Sequence, residues 1–273
     1  MGQALEMLTG NATAPGATFT ALTMAVGNTS TIRSADMRSQ VGLMGAWAFS
    51  NGAGILRIRS PRLHDNQQGI RMVINALTPS PRYPAHNFIQ PLVPQDVLTL
   101  EITGSATAGN IEMGSILVYY SDLPGIAARF INCDQLARWG VNVMGQQVAV
   151  TAGATGGYSG QVAVNSLAGA DQWKANTDYA LMGYVVDTPC CSVRIQGADS
   201  GNLGVGGPGF SAVPDVTRDW FALLSDRYGL SLIPVFNAAN KNAILVDVAQ
   251  NNGAAAVNVT FNFVELKMPS LRT

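Results

Sequence analysis

A pattern that occurs twice constrains the fold more than any other feature of this sequence. Residues 43–59 begin with Leu-Met-Gly, pass through a turn-forming cluster and end in an alternating segment that contains Arg-Ile. Residues 181–196 follow the same plan, again from Leu-Met-Gly to Arg-Ile. We therefore expect Leu43 and Leu181 to occupy equivalent strands of two related units.

A second pair of similar segments follows in the same order. Residues 98–102 read Leu-Thr-Leu-Glu-Ile and residues 244–248 read Ile-Leu-Val-Asp-Val, and a proline precedes each, at Pro91 and Pro234. Two such echoes at similar separation suggest that one β unit of roughly 110–130 residues was duplicated. The alternative is a chance match in a β protein rich in Ala, Gly and Val.

Turn-forming clusters divide both halves into short β-type segments. We count roughly seven such segments in each half, each about 5–9 residues long. Strand-rich units of this size form sandwiches or jelly rolls rather than α/β folds. The sequence predicts an all-β protein made of two tandem jelly-roll β-sandwiches with a few short helices.

The composition of successive segments divides the chain into four parts. Residues 1–17 are small and polar and are expected to form an N-terminal arm, and residues 18–122 the first jelly roll. Residues 123–140 are expected to form a linker helix, because apolar residues recur at helical spacing and Gly140 could end the helix as a C′ glycine. Residues 141–273 would form the second jelly roll.

A second helix is predicted within the later half, at residues 217–228. Thr217 is placed to cap its first turn, and Gly229 lies just past its last residue.

The low proportion of charged residues restricts the kind of protein this can be. Only 12% of residues are charged, whereas ordinary soluble domains carry about 25%. Such a chain either exposes uncharged polar side chains or covers much of its surface with partners. The net charge of −1 gives no general attraction to nucleic acid, so no sequence-specific nucleic-acid binding is expected.

No targeting or membrane segment is evident in the sequence. No run reaches the ~18 apolar residues of a transmembrane helix. The first residues, Met-Gly-Gln-Ala-Leu-Glu-Met, include no basic residue and do not resemble a signal peptide. We expect a soluble protein that stays in the compartment where it is made.

The histidines and the one serine motif do not suggest a catalytic site. His64 and His86 lie in polar, loop-like surroundings with no nucleophile or carboxylate arranged nearby. Ser159 lies in Gly-Tyr-Ser-Gly, which lacks the last glycine of a nucleophile elbow. No H-E-x-x-H and no paired C-x-x-C occur. The sequence predicts a protein that is not an enzyme, with no catalytic, cofactor or metal residues.

The three cysteines are interpreted as small buried residues. Their number is odd, and Cys190 and Cys191 are adjacent, so they do not form a disulfide framework with Cys133. A redox or metal role is the alternative.

Three further groups of residues have both a functional and a structural interpretation. Residues 204–209 satisfy the G-x-G-x-x-G pattern, but no strand-to-helix context surrounds them, and a long surface loop is favoured over a phosphate site. Five arginines could form a basic patch that contacts phosphate or lipid headgroups. The favoured interpretation is structural: they line the solvent face of a strand or bridge to a neighbouring subunit. These arginines are Arg57, Arg59, Arg62, Arg71 and Arg82. The carboxylates that could be spaced for glycosidase chemistry are Asp96, Glu101 and Glu112, which fall on ordinary strands.

Taken together, these features resemble the double jelly-roll major capsid proteins of tailless icosahedral viruses of the tectivirus, corticovirus and adenovirus kind. The resemblance is architectural, covers about residues 18–266 and rests on the two echoes and the helix before the late strands. It implies a homotrimer that tiles a shell with neighbouring capsomers and minor capsid or vertex proteins, with an internal membrane as a candidate partner. It also implies a virion location after assembly in the host cytoplasm.

The alternative function is a non-catalytic β-sandwich module that binds carbohydrate or a receptor. Such a module would show exposed aromatic residues clustered in loops. The four tryptophans lie instead in or beside predicted strands and helices; they are Trp47, Trp139, Trp173 and Trp220.

Overall fold

The protein is described from a computed structural model. The structure describes residues 2–34, 39–63, 66–151, 156–167, 169, 171–210, 214–250 and 256–267. His64 lies outside these residues.

Strands account for 48% of the chain and helices for 11%, which places it in the all-β class. The strands are β1 (Ala4–Thr13), β2 (Thr20–Ala21), β3 (Thr23–Met24), β4 (Val41–Phe49), β5 (Gly54–Arg59), β6 (Ile70–Ile74), β7 (Gln90–Pro91), β8 (Thr99–Ile102), β9 (Ile111–Tyr120), β10 (Phe130–Ile131), β11 (Gly140–Val150), β12 (Gly157–Tyr158), β13 (Val162–Ala163), β14 (Asp178–Val186), β15 (Cys190–Gln196), β16 (Val205–Gly209), β17 (Ile233–Asn237), β18 (Leu245–Gln250) and β19 (Val257–Leu266). The α-helices are α1 (Cys133–Trp139), α2 (Pro214–Arg218) and α3 (Trp220–Tyr228), and Ala198–Ser200 and Ala238–Ala243 form 3₁₀ turns.

The first half of the chain forms two antiparallel sheets that enclose one apolar core. One sheet has the strand order β3-β1-β9-β4-β7 and the other β2-β8-β5-β6. Leu8, Leu43 and Ile116 from the first sheet pack with Leu56 and Ile102 from the second. The chain crosses repeatedly between the two sheets, and the first strand pairs with the last, which is the topology of a jelly roll.

The second half repeats eight strands of this topology. Its sheets have the orders β10-β17-β14-β19-β11 and β12-β18-β15-β16, with β13 also paired to β18. Strands β11, β19, β14 and β17 therefore correspond to β1, β9, β4 and β7, and β12, β18, β15 and β16 correspond to β2, β8, β5 and β6. The predicted fold class, two tandem jelly rolls with a few short helices, is confirmed.

The repeated Leu-Met-Gly motif is a β-bulge that both jelly rolls share. Strand β4 pairs Leu43 with Val118 and then Gly45 with Leu117, which leaves Met44 without a partner residue. Strand β14 breaks its register in the same way between Leu181 and Gly183. An extra residue of this kind bends a strand and increases its twist. Leu43 and Leu181 are thus equivalent in strand and register, as the sequence predicts.

The two jelly rolls lie side by side and point in the same direction. Near the start of β1, the amide of Met7 donates to the carbonyl of Gly204, at 2.9 Å. Near the end of β1, Asn11 Nδ2 donates to the carbonyl of Gly156, at 2.6 Å. The end at which β1, β4, β11 and β14 begin is called the base here, and the opposite end the top.

The expected N-terminal arm is wrong, because residues 4–13 form a central strand. Strand β1 pairs with β9 along its whole length, from Ala4 opposite Tyr120 to Thr13 opposite Ile111. Most of its residues are buried on both faces of the sheet. A strand covered on both faces lacks the polar–apolar alternation by which strands are recognised.

The linker helix is shorter than the pattern of residues 126–139 indicates. Helix α1 begins after Asn132, whose Oδ1 accepts from the Gln135 amide at 2.8 Å while Gln135 Oε1 accepts from the Asn132 amide at 3.0 Å. This capping box fixes the start of the helix. Gly140 has φ −67° and opens β11, so it is not a C′ glycine. The domain boundaries at residues 122 and 140 stay predictions.

The second predicted helix is divided into α2 and α3. Asp219 separates them and is the N-cap residue of α3, the position predicted for Thr217. Gly229 ends α3 with φ +64°, and its amide donates to the carbonyl of Ser225, as expected for a glycine at that position.

The surface loop expected at residues 204–209 is instead a buried strand, β16, paired with β15. Its glycines follow from close packing. A Cβ atom on Gly207 would lie 2.5 Å from Trp220 Nε1, and one on Gly206 would lie 3.0 Å from Met7 Cε. The sequence pattern does not report such approaches, because they depend on residues distant in the chain.

Candidate assembly surfaces

The contact between the two jelly rolls joins two sheets face to face. The outer face of β1, β9 and β4 packs on the outer face of β15 and β16. Leu5, Met7 and Leu117 from the first jelly roll belong to the same buried cluster as the second jelly roll's interior. Trp47 meets Trp220 edge to face, with ring centroids 5.8 Å apart. This apolar contact holds the two units in one orientation.

A chain of polar side chains crosses the same contact. Trp47 Nε1 donates to Ser192 Oγ at 3.1 Å, and Ser192 Oγ lies 2.6 Å from Ser115 Oγ. Ser115 Oγ is 2.8 Å from Thr9 Oγ1, which accepts from the Tyr158 hydroxyl at 2.8 Å. Buried polar groups lose their hydration, so each needs such a partner. The chain of bonds therefore favours one register between the two sheets.

A buried ion pair lies at the same contact. Arg194 Nε and Nη2 donate to the two carboxylate oxygens of Asp247, at 2.8 and 2.6 Å. Only 8% of the Arg194 side chain and 2% of the Asp247 side chain are exposed. The guanidinium also lies 3.7 Å from the ring centroid of Tyr158. Burial opposes the charged form of Arg194, but the bonds to Asp247 outweigh it and raise its pKa.

The first jelly roll carries an equivalent pair at the same strand positions. Arg57 faces Glu101 across β5 and β8, as Arg194 faces Asp247 across β15 and β18. Arg57 Nε donates to Glu101 at 2.6 Å, and its guanidinium lies 3.7 Å from the ring centroid of Phe19. Arg59 also binds Glu101, at 2.6 Å. Burial raises the pKa of Glu101, but the bonds from Arg59 and Arg57 outweigh it, and the net pKa is lowered.

Two sheet faces that correspond to the internal contact are left uncovered. One, here called face A, is the outer side of β11 and β19 in the second jelly roll, together with the end of β14 beyond Gly183. At Gly183 itself α2 and α3 cover the sheet, since a Cβ atom there would lie 2.1 Å from the Thr217 carbonyl oxygen. Face A exposes uncharged side chains along β11 and β19, including Val143, 75% exposed, with Gln147 and Thr260. Its counterpart in the first jelly roll is buried on both sides, whereas β11 alternates between buried and exposed residues.

The other uncovered face, here called face B, is the outer side of β5, β8 and β6 in the first jelly roll. It carries the Arg57–Glu101 pair and the side chains of Ile55, Arg71 and Val73, of which Val73 is 65% exposed. Its counterpart in the second jelly roll is the face that receives the first jelly roll inside the chain. Inside the chain, the face equivalent to A packs on the face equivalent to B. Faces A and B themselves have no such partner within the described chain.

The carboxylates considered for glycosidase chemistry are each engaged in local structure. Asp96 accepts from the Ser60 hydroxyl and from the Val97 amide. Glu101 binds Arg57 and Arg59, as described above. Glu112 is buried and accepts from two backbone amides, those of Asn51 at 2.7 Å and Ser105 at 3.1 Å. Such bonds anchor turns and strands.

Ser159 and the adjacent cysteines lie in the interior. Ser159 Oγ accepts from the Val248 amide at 3.0 Å, which ties β12 and β13 to β18. Cys190 and Cys191 are buried, and burial raises the pKa of both thiols. Cys133, on α1, is partly buried. Within the described residues, no group of three or more His, Cys, Asp or Glu side chains could hold a metal ion.

A cleft of about 650 Å³ opens between the two jelly rolls, beside the middle of β4. Tyr83 and His86 line it from the first unit, and Leu223, Asp226 and Arg227 line it from α3. The Arg227 guanidinium lies 3.9 Å from the Tyr83 ring centroid. The sequence could not predict this cleft, because its two walls are about 140 residues apart in the chain.

No protein-family model and no curated protein sequence matches this chain. Among solved structures it is similar to the major capsid protein P2 from bacteriophage PM2, with 6% identity, coverage of 98% of this chain and 99% of that one, and a TM-score of 0.22. The STIV major capsid protein has 10% identity, with coverage of 98% of this chain and 98% of that one and a TM-score of 0.22. The PBSX exported protein XepA has 10% identity, with coverage of 92% of this chain and 88% of that one and a TM-score of 0.21. TM-scores of this size are too low to carry an argument about function.

No helix in the described part of the chain is long and apolar enough to cross a membrane.

Proposed function

We propose that this protein is a structural subunit of a viral shell, a major capsid protein that forms homotrimers and tiles an icosahedral lattice. The observation that carries the proposal is the single contact between the jelly rolls. The chain forms this contact once, between its own two jelly rolls. Faces A and B lie on different jelly rolls of the same molecule, so face A of one copy can form the same contact with face B of another.

The two uncovered faces differ from each other, so contact between them is head-to-tail. Head-to-tail contacts form a closed ring when the rotation between copies closes. Three copies with two jelly rolls each would place six similar towers around one axis, an outline that suits hexagonal packing. The low charge of the chain, 12% of residues, supports a surface that is largely covered by neighbours.

In this role the partners are other copies, neighbouring capsomers and minor capsid or vertex proteins, and the location is the virion after assembly in the host cytoplasm. We propose no catalytic role, since the carboxylates and Ser159 are committed to structural bonds. The proposal keeps an internal membrane beneath the base as a candidate partner.

Light scattering on the purified protein tests the oligomer. We expect a particle mass three times the 28.7 kDa of one chain, unchanged on dilution to micromolar concentration. A stable monomer at that concentration would refute the proposal.

The second candidate function, a carbohydrate- or receptor-binding module, is favoured by the cleft between the two jelly rolls. That cleft presents Asp226, Arg227 and His86 beside the Tyr83 ring. Under this alternative the protein would be monomeric and would bind neutral or charged glycans on an array, and substituting Arg227 by Ala would abolish binding.

A further inference from the structure

We infer that neighbouring copies meet through faces A and B in the register of the internal contact, so that Gly145 of one copy lies against Arg71 of the next. This inference rests on the proposed trimer and specifies its interface. The partner is a second copy of this chain, because one example of the contact is already present inside the molecule.

The equivalent positions follow from the strand registers. The shared bulge aligns Leu43 with Leu181, and their partners Val118 and Phe263 are therefore equivalent. One residue earlier, Leu117 is equivalent to Asn262. Because Leu117 pairs with Met7 and Asn262 pairs with Gly145, Met7 and Gly145 are equivalent positions on the outer faces of β1 and β11.

The same reasoning places the opposite side of the contact. Arg57 pairs with Arg71 across β5 and β6, and Arg194 pairs with Gly206 across β15 and β16. Arg57 and Arg194 are equivalent, so Arg71 is equivalent to Gly206. In the internal contact, Met7 packs against Gly206, where a Cβ atom would come within 3.0 Å of Met7 Cε.

The large and the small residue of the pair are on opposite sides in the internal contact and in the proposed contact between copies. Inside the chain a large residue, Met7, meets a glycine at position 206. On the open faces the glycine is on face A, at Gly145, and the large residue is on face B, at Arg71. Both positions are exposed. Complementary size at equivalent positions allows the two sheets to approach equally closely in both contacts.

A second set of equivalent residues replaces hydrogen bonds with apolar contact. Ser192 corresponds to Ile55 on face B, and its partners Trp47 and Ser115 correspond to Val185 and Thr260 on face A. The expected contact places Ile55 against Val185 and the methyl group of Thr260. Val185 and Ile55 are half-buried in one chain and would be fully covered in the assembly.

Disulfide trapping tests this register. The variant with Arg71→Cys and Gly145→Cys is prepared in a Cys133→Ala background, since Cys190 and Cys191 are buried. Mild oxidation is expected to link copies into covalent dimers and closed trimers on a denaturing gel. The control combines Arg71→Cys with Ala149→Cys, four residues further along β11 and so about 13 Å away. Disulfides need Cα atoms within roughly 7 Å, so the control is expected not to link.

The outcomes separate the interface from the proposed function. Links in the Gly145 pair and not in the Ala149 pair support the register. Equal linking in both pairs, or none in protein that light scattering shows to be trimeric, overturns the register and leaves the trimer standing. A monomeric protein overturns the trimer as well.

A single substitution gives an independent measurement. Gly145→Trp is expected to weaken trimerisation at least tenfold in Kd without unfolding the chain. Apart from the two adjacent residues, Thr260 is the one described residue within 4 Å of a Cβ atom there, at 3.9 Å. Val26→Trp, at a residue just after β3 that is 92% exposed and lies outside faces A and B, is the matched control. An unchanged Kd for Gly145→Trp would contradict the inference.

Discussion

The ion pair between Arg194 and Asp247 gives the sharpest prediction about the contact between the jelly rolls. In the variant Asp247→Asn the Arg194 charge stays buried without a counter-charge. Removing one partner of a buried pair costs about 3–5 kcal/mol. Because Arg194 keeps its stacking on Tyr158 at 3.7 Å, we expect the lower end, about 3 kcal/mol.

The measurement is urea unfolding followed by tryptophan fluorescence at pH 7 and at one protein concentration, since oligomers gain stability with concentration. Glu265→Gln is the matched control, because it removes the same charge from a pair with Lys174, whose side chain is 60% exposed. An exposed pair contributes about 0–1 kcal/mol. Replacing both partners, Arg194→Met with Asp247→Leu, is expected to recover most of the lost stability. A loss for Asp247→Asn no larger than that of Glu265→Gln would refute the reasoning.

Three further predictions concern packing and pH. Trp47→Ala is expected to lower the free energy of unfolding by about 3–5 kcal/mol, because it empties the contact with Trp220, and differential scanning calorimetry would measure it; a loss under about 1 kcal/mol would contradict the packing. Gly207→Ala is expected to cost about 1–3 kcal/mol in urea unfolding, since its Cβ would meet Trp220 Nε1 at 2.5 Å; wild-type stability would contradict this. Arg129 donates to both carboxylate oxygens of Asp178 at 2.7 Å. Burial raises the pKa of Glu101 and of Asp178, but the bonds from their arginine partners outweigh it and lower both pKa values in the folded chain. Their stabilisation is therefore complete above the unfolded pKa of about 4 and lost as pH falls through the lower folded values, so urea midpoints are expected to drop below pH 4 and not between pH 5 and 7.

The repeated motif allowed the fold to be predicted because it marks a structural requirement. Leu-Met-Gly recurs where a bulge bends each strand, and Arg-Ile recurs where an arginine meets a carboxylate on the neighbouring strand. Local pattern and fold agree at these positions. The helix predicted at residues 217–228 was less accurate, because it is divided at Asp219, which takes the N-cap position predicted for Thr217.

The elements that the sequence did not predict are those whose environment comes from distant residues. Strand β1 has no alternation because the second jelly roll covers its outer face. Strand β16 is rich in glycine because Trp220 and Met7 approach its backbone. The assembly surfaces have the same origin: Gly145 and Arg71 carry no local signal, and they gain meaning only when the two jelly rolls are aligned.

Negative-stain imaging of the purified protein tests the central claim most directly. The proposed trimer predicts particles with a hexagonal outline, formed by six towers around one axis with threefold symmetry. Two-lobed particles the size of a single chain, or rings with another number of towers, would contradict it.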